Sequence, residues 1–248
     1  MSPHDLNIKL DAGAPQLKVI DPELLDYIQQ RRVEDVSFPA GARIMAEGDP
    51  NPPLYTVTSG WAIRYKTLQD GRRQILSFVM PGDVVGFQAQ FFDVAVTSIE
   101  AITEVALCVV PYQDVAALYQ TQPEVAFRFA ALTADQKRMM EEQLLSLGQR
   151  TAVERVAALV LDLYDRAEAR DMVRGDSMPF PLTQQHIADA LGISLVHANR
   201  TLKQLQRDGL FRIKGRRLQM LKMEALEKVA QKPVLARPYA ASADGGGT

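Results

Sequence analysis

The chain has 248 residues, a formal charge of −2 and 47% hydrophobic residues, enough for more than one buried core. Its single cysteine, Cys108, excludes an intrachain disulfide framework and a cysteine-held zinc or iron–sulfur centre. The opening MSPHDLNIKLDAG has no apolar targeting core and no stretch reaches about 18 apolar residues, so a soluble, cytoplasmic protein without a membrane partner is expected.

Charge is unevenly placed. Residues 181–248 carry 11 Lys and Arg against 5 Asp and Glu, while the other 180 residues carry 17 against 25. The last quarter is where a polyanion would be met, unless it is only a solvated basic face.

In chain order, glycines at 48, 60, 71 and 82 separate the β-rich segments LYTVTSG (54–60), WAIRYKT (61–67) and RQILSFVM (73–80). Asp70-Gly71 is a hairpin signal and Pro81-Gly82-Asp83 a turn. Further strands are expected at 84–88 and across 96–110. Short strands at this regular spacing predict an antiparallel β-roll, or jelly roll, over residues 17–120.

Helical signals follow. Thr121-Gln-Pro-Glu124 reads as a capping box with an early proline, and Gly148 as a stop. A helix over 122–148 would be about 40 Å long. Val125, Phe129, Leu132, Met139, Met140, Leu144 and Leu147 recur along it in steps of three and four. Gln136 and Gln143 fall on the same seam, where polar residues suit two paired helices better than a closed core. Residues 121–149 are therefore expected to dimerise through Val125, Phe129, Leu132, Gln136, Met139, Met140, Gln143 and Leu147; the alternative is an ordinary core helix.

Thr151-Ala-Val-Glu154 is a second capping box, opening the helix of VERVAALVLDLYDRA. Thr183 caps TQQHIADALG, Gly192 permits a left-handed turn, and Ser194 caps LVHANRTLKQLQRDG. Two capped helices around a glycine turn form a helix-turn-helix. Ile187, Ala188, Leu191, Ile193, Leu195, Ala198, Leu202 and Leu205 can pack inward, leaving Val196, His197, Asn199, Arg200 and Lys203 outward. Arg200 has the reach for a guanine edge, Asn199 for an adenine or phosphate, and Val196 for a thymine methyl. After Gly209, two alternating segments flank the basic turn Lys214-Gly215-Arg216, a wing whose Arg212, Lys214, Arg216 and Arg217 suit phosphate. Residues 150–231 thus read as a winged helix-turn-helix, and 232–248 as a disordered tail.

GARIMAEGD, LYTVTSG and DGRRQILSFVMPGDVVG, then a long helix and a winged helix, resemble the CRP/FNR superfamily of bacterial transcription regulators across about residues 17–230. The resemblance implies an α+β protein: an N-terminal β-roll, a long dimerisation helix and a C-terminal winged helix-turn-helix. It implies a homodimer reading a palindromic operator in double-stranded DNA, with RNA polymerase as a further partner. By position, Arg200 matches the family's guanine-reading arginine, while Thr183, Gln185 and Lys203 match positions that touch backbone or flanking bases. Glutamate is usual where this chain has Val196, and serine or glycine where it has Asn199, so the half-site is expected to differ.

Family members that bind cAMP carry a glutamate where this chain has Phe87, and an arginine–serine pair where it has Ala95-Val96. A cyclic phosphate there would be an unpaired buried charge, so no cAMP binding is expected. His4, His186 and His197 offer no haem site outside the DNA-binding unit, and Cys108 in an apolar run reads as packing. No cofactor and no metal is expected, and the residues name no small-molecule effector. Two rival readings stand beside the regulator. One is a sensor whose helix-turn-helix serves protein interaction. The other is an enzyme, disfavoured because the chain has no P-loop, G-x-S-x-G elbow or metal-ligand spacing.

Overall fold

The computed structural model describes residues 19–111, 113–115 and 121–231. The expected tail over 232–248 lies outside the described residues, as do residues 17, 18, 112 and 116–120 of the expected roll.

Helix α1 (Pro22–Arg31) opens the described chain. Asp21 caps it by accepting from the Glu23 and Leu24 amides, and Pro22 at its first position is already set for helical φ. Two four-stranded antiparallel sheets follow. The first is ordered β1 (Glu34–Phe38), β8 (Val105–Val110), β3 (Leu54–Ser59), β6 (Val84–Val85). The second is ordered β2 (Arg43–Met45), β7 (Ser98–Ala101), β4 (Ala62–Thr67), β5 (Arg73–Val79). Strand β8 is buried on both faces: Val105 and Leu107 enter the roll interior, while Cys108 and Val110 meet α1 and the long helix. Burial pushes the Cys108 thiol up to about 12, with Asp35 adding and Arg32 opposing, as befits a packing residue.

The expected strand across 96–110 is two strands, because Ile102 and Thr103 turn to donate their amides to the Trp61 carbonyl. Gly60 allows that approach: at φ +85°, a Cβ there would lie 2.0 Å from the Glu104 carbonyl oxygen. The expected strand at 84–88 stops at Val85, and a short helix, α2 (Ala89–Phe92), leaves the sheet. Strands β1 and β2 and helix α1 were not among the sequence expectations; EDVSF and RIM are too short to show a period.

The long helix, α3 (Pro123–Gln149), runs 27 residues. Its N-cap is Gln122 instead of the expected Thr121, and Gln122 makes no side-chain cap bond. Pro123, at the first turn, marks the start instead. Helix α4 (Ala152–Ala169) begins as expected: Glu154 N–H donates to Thr151 Oγ1, and Thr151 N–H donates to Glu154 Oε2 at 2.7 Å.

The face of α3 expected to meet a partner packs largely on the chain's own roll, a correction to the sequence reading. Val125 and Phe129 are buried against α1 and the roll, with Leu132 beside them. The Phe129 ring stacks on Phe87 with centroids 4.7 Å apart. The two seam glutamines also turn inward: Gln136 donates to the Val84 carbonyl at 3.4 Å and Gln143 to the Ile75 carbonyl at 3.3 Å. Met139 and Leu147 are half-buried and Met140 is exposed. The period was legible, but a roll and a second helix both call for an apolar stripe.

The C-terminal unit does not stand apart. Trp61, Ile63, Tyr65 and Phe78 on the outer face of β4 and β5 share one core with Val156, Val160 and Tyr164 of α4 and with the helices beyond. Polar ties reinforce it. Arg73 pairs with Asp189 at 3.0 Å, and Gln74 donates to the Ala190 carbonyl at 3.0 Å.

Candidate nucleic-acid interface

Helix α5 (Gln184–Leu191) is capped by Thr183, whose Oγ1 accepts from the His186 amide at 3.1 Å. His186 answers: its Nδ1 accepts from the Thr183 amide at 3.3 Å, a capping box with histidine in place of glutamate. Burial first, then Arg73, lowers the His186 pKa from its ordinary value, against Glu100 and Asp189. The ring therefore stays neutral and able to accept. The helix ends at Gly192 in the left-handed region, φ 62°.

Helix α6 (Leu195–Arg207) starts at Ser194, whose Oγ accepts from the His197 amide at 3.2 Å. Ala198, Thr201, Leu202 and Leu205 are its buried residues, one stripe at helical spacing. The opposite stripe forms a shallow groove lined by Val196, Asn199, Arg200, Lys203 and Arg207. Val196 is 78% exposed and sits beside Arg200 at the rim of the groove, open to contact from outside. Four of the five residues expected outward meet in this groove. His197 is half-buried and lies off it. Arg207 joins the groove one turn beyond Lys203; the i+4 step was the available signal.

Several polar groups are held in place. Asn199 donates to Gln184 Oε1 at 2.7 Å, linking α6 to α5, and Gln185 donates to Asp189 Oδ1 at 2.6 Å. Thr183, Gln185 and Ser194 stay on the exposed side of the unit.

The wing is β10 (Phe211–Lys214) and β11 (Arg217–Met220), the two expected segments, paired with Lys214 opposite Arg217. Its tip, Gly215-Arg216, has both residues at positive φ, 57° and 59°, the geometry of a primed two-residue hairpin. Arg212, Lys214 and Arg216 are exposed. Arg217 differs: it bonds Ser177 through Nε at 3.2 Å and Nη2 at 3.1 Å. Ser177 belongs to a third strand, β9 (Ser177–Pro179), which pairs with β11 and which the polar surroundings of that segment concealed.

Residues 35–122 match the family description Cyclic nucleotide-binding domain, and residues 154–229 match the Crp-like helix-turn-helix domain. The nitrogen fixation regulation protein FixK of Rhizobium meliloti is 31% identical over 198 residues, 78% of this chain and 85% of that one. This chain belongs to the CRP/FNR family. Another CRP/FNR relative, the transcriptional activator protein FnrL of Cereibacter sphaeroides, is 31% identical over 73% of this chain and 73% of its own length. The solved structure of FixK2 from Bradyrhizobium japonicum superposes with a TM-score of 0.72 at 30% identity, covering 79% of this chain and 96% of that one. CRP/FNR membership makes the chain a DNA-binding helix-turn-helix protein of transcription regulation, and its relatives here are named as regulators rather than enzymes. Among the described residues, no helix is long and apolar enough to cross a membrane, and no His, Cys, Asp and Glu cluster could hold a metal ion.

The ligand suggested by the N-terminal match does not fit the residues present. The roll interior keeps a cavity of about 20 Å³, by a measure on which a single water needs roughly 10–15 Å³. Phe87 is buried at its wall and Ala95 and Val96 line it without a charge to offer, which leaves Arg64 as the charged residue of the lining.

Proposed function

We propose that the protein is a homodimeric, sequence-specific transcription regulator whose helix α6 enters the major groove of each half of a palindromic operator, with no cyclic nucleotide as effector. The observation that carries the reading is the groove of Val196, Asn199, Arg200, Lys203 and Arg207 on a helix whose opposite stripe is core. Arg200 supplies a planar fork for guanine, Asn199 is pre-oriented by Gln184, and Val196 offers a methyl contact. The wing residues Arg212, Lys214 and Arg216 are placed to neutralise phosphates on one flank, and Thr183 and Gln185 to touch the backbone.

Dimerisation is assigned to the side of α3 turned away from the roll. Phe127 and Leu144, 66% and 72% exposed, recur with exposed Ala130, Ala134, Lys137 and Glu141 in alternating steps of three and four. Small residues permit close approach, and Lys137 and Glu141 form an ion pair along the same side.

The test is selection of preferred duplexes from a random pool by the purified chain, followed by Arg200→Ala. The expected outcome is an inverted repeat with two chains per duplex, and loss of preference at one base pair in the variant with folding intact. Unchanged preference in R200A would take base reading away from Arg200, and failure of the purified chain to select any duplex would assign the unit to protein interaction.

A further inference from the structure

Among the described residues, the cavity of the roll is lined by one charged side chain, and no ion pair reaches it. Arg64, in β4, pairs in register with Ile99 and Ser77 and lines the roll cavity together with Val84, Phe87, Gln88, Thr97 and Gln136. Its Nε is fully buried without a hydrogen-bond partner. Among the described residues of the cavity wall there is no aspartate or glutamate to pair with its guanidinium. The acid that acts on it electrostatically is Asp83, but both Asp83 oxygens are taken, one by Arg166 at 2.7 Å and the other by Arg170. Arg166 adds a second unfavourable charge rather than relief. Arg64 is half-buried with its Nε shielded from solvent, and an arginine stays protonated at neutral pH, so a charge held there without a partner favours a counter-charge.

We propose that the β-roll holds one small monovalent anion, nitrate-sized or smaller, on the Arg64 guanidinium. The cavity sets the size: about 20 Å³ admits one or two waters or one such ion, and no nucleotide. The guanidinium fork suits two oxygens of a planar oxyanion, or a single halide. Thr97 and Gln88 add polar groups at the wall, and the remaining lining is largely aliphatic, which strengthens a charge-assisted bond. Gln136 brings the long helix to the same cavity while donating to Val84 of the roll. An anion there would tie β4, β6 and α3 together at one point.

The experiment is thermal unfolding of the full-length protein, followed by the fluorescence of its one tryptophan, with sodium gluconate replaced by chloride, bromide or nitrate at constant ionic strength. The expected result is a saturable rise in Tm, about 5 °C at a hundredfold excess over Kd, for at least one of the three. Arg64→Met should lose the rise and melt in gluconate no lower than the unsubstituted protein. A wild-type Tm indifferent to all three anions, or an equal rise in R64M, overturns the site. Should R64M fail to fold, crystals grown in bromide and in nitrate decide it. A bromide anomalous peak, or planar density in crystals grown in nitrate, within hydrogen-bond reach of Arg64 supports the assignment, and the absence of both from the cavity refutes it.

Discussion

Asp83 of the roll and Arg170, at the end of α4, are joined across the two halves of the molecule: Arg170 Nη2 donates to Asp83 Oδ1 at 2.5 Å. Arg166 holds the other carboxylate oxygen, and the Met80 amide donates to it at 2.9 Å. Arg170 also donates from Nε to the Pro81 carbonyl, so the turn Pro81-Gly82-Asp83 is clamped from two sides. Burial alone would raise the Asp83 carboxyl; Arg166, Arg170 and the Met80 amide reverse this and hold it below the usual carboxylate range.

Removing the charge should therefore undock the halves. Asp83→Asn leaves Arg166 and Arg170 facing each other, and a loss of about 3 kcal/mol in urea unfolding is expected. Because the folded pKa is depressed, this stabilisation is complete above the unfolded aspartate value of about 3.9 and disappears as pH falls through the folded one. D83N should remove that part of the acid decline. An unchanged acid limb would place the pH dependence elsewhere.

The two faces of the long helix predict opposite phenotypes. Leu144→Asp, on the exposed side, should leave the subunit folded and give a monomer by light scattering. Phe129→Ala, on the roll side, should cost about 3–5 kcal/mol of stability, because it empties a site that is 0% exposed. A folded dimer from L144D would move the interface to another surface.

His186 makes the first helix of the DNA-binding unit sensitive to mild acid. Its Nδ1 can accept from the Thr183 amide only when unprotonated. A histidine with a lowered folded pKa contributes stability that is whole above the unfolded value, about 6.5, and is lost as pH falls through the folded value. His186→Gln preserves a capping box without titrating, so its stability should decline less than the wild type's between pH 6.5 and 5. Parallel declines would show that the histidine acceptor contributes nothing.

The wing should act without reading sequence. Arg216→Ala is expected to weaken specific and non-specific duplexes alike and to make the log–log salt slope shallower by about one. A change confined to one base pair would place Arg216 in a groove instead of on a phosphate.

Local chemistry carried much of the reading. Thr151, Thr183 and Ser194 each accept the amide three residues on, as their positions before helical runs implied. Gly192 and Gly215 take the left-handed turns that glycine favours, Arg216 follows at positive φ as the tip demands, and the α6 stripe followed from spacing alone. Those features depend on neighbours within a turn or a hairpin, so residue order suffices to state them. Strand β9, the inward turn of Gln136 and Gln143, and the isolation of Arg64 depend on chain segments tens of residues away. An arginine in AIRYKT reads as an exposed strand residue, and only the folded roll turns it toward the cavity, half-buried. Likewise the apolar stripe of α3 says only that something covers it. The roll packs onto Val125 and Phe129, so that side is taken by the chain's own core and the opposite side stays exposed, because one stripe cannot be buried twice.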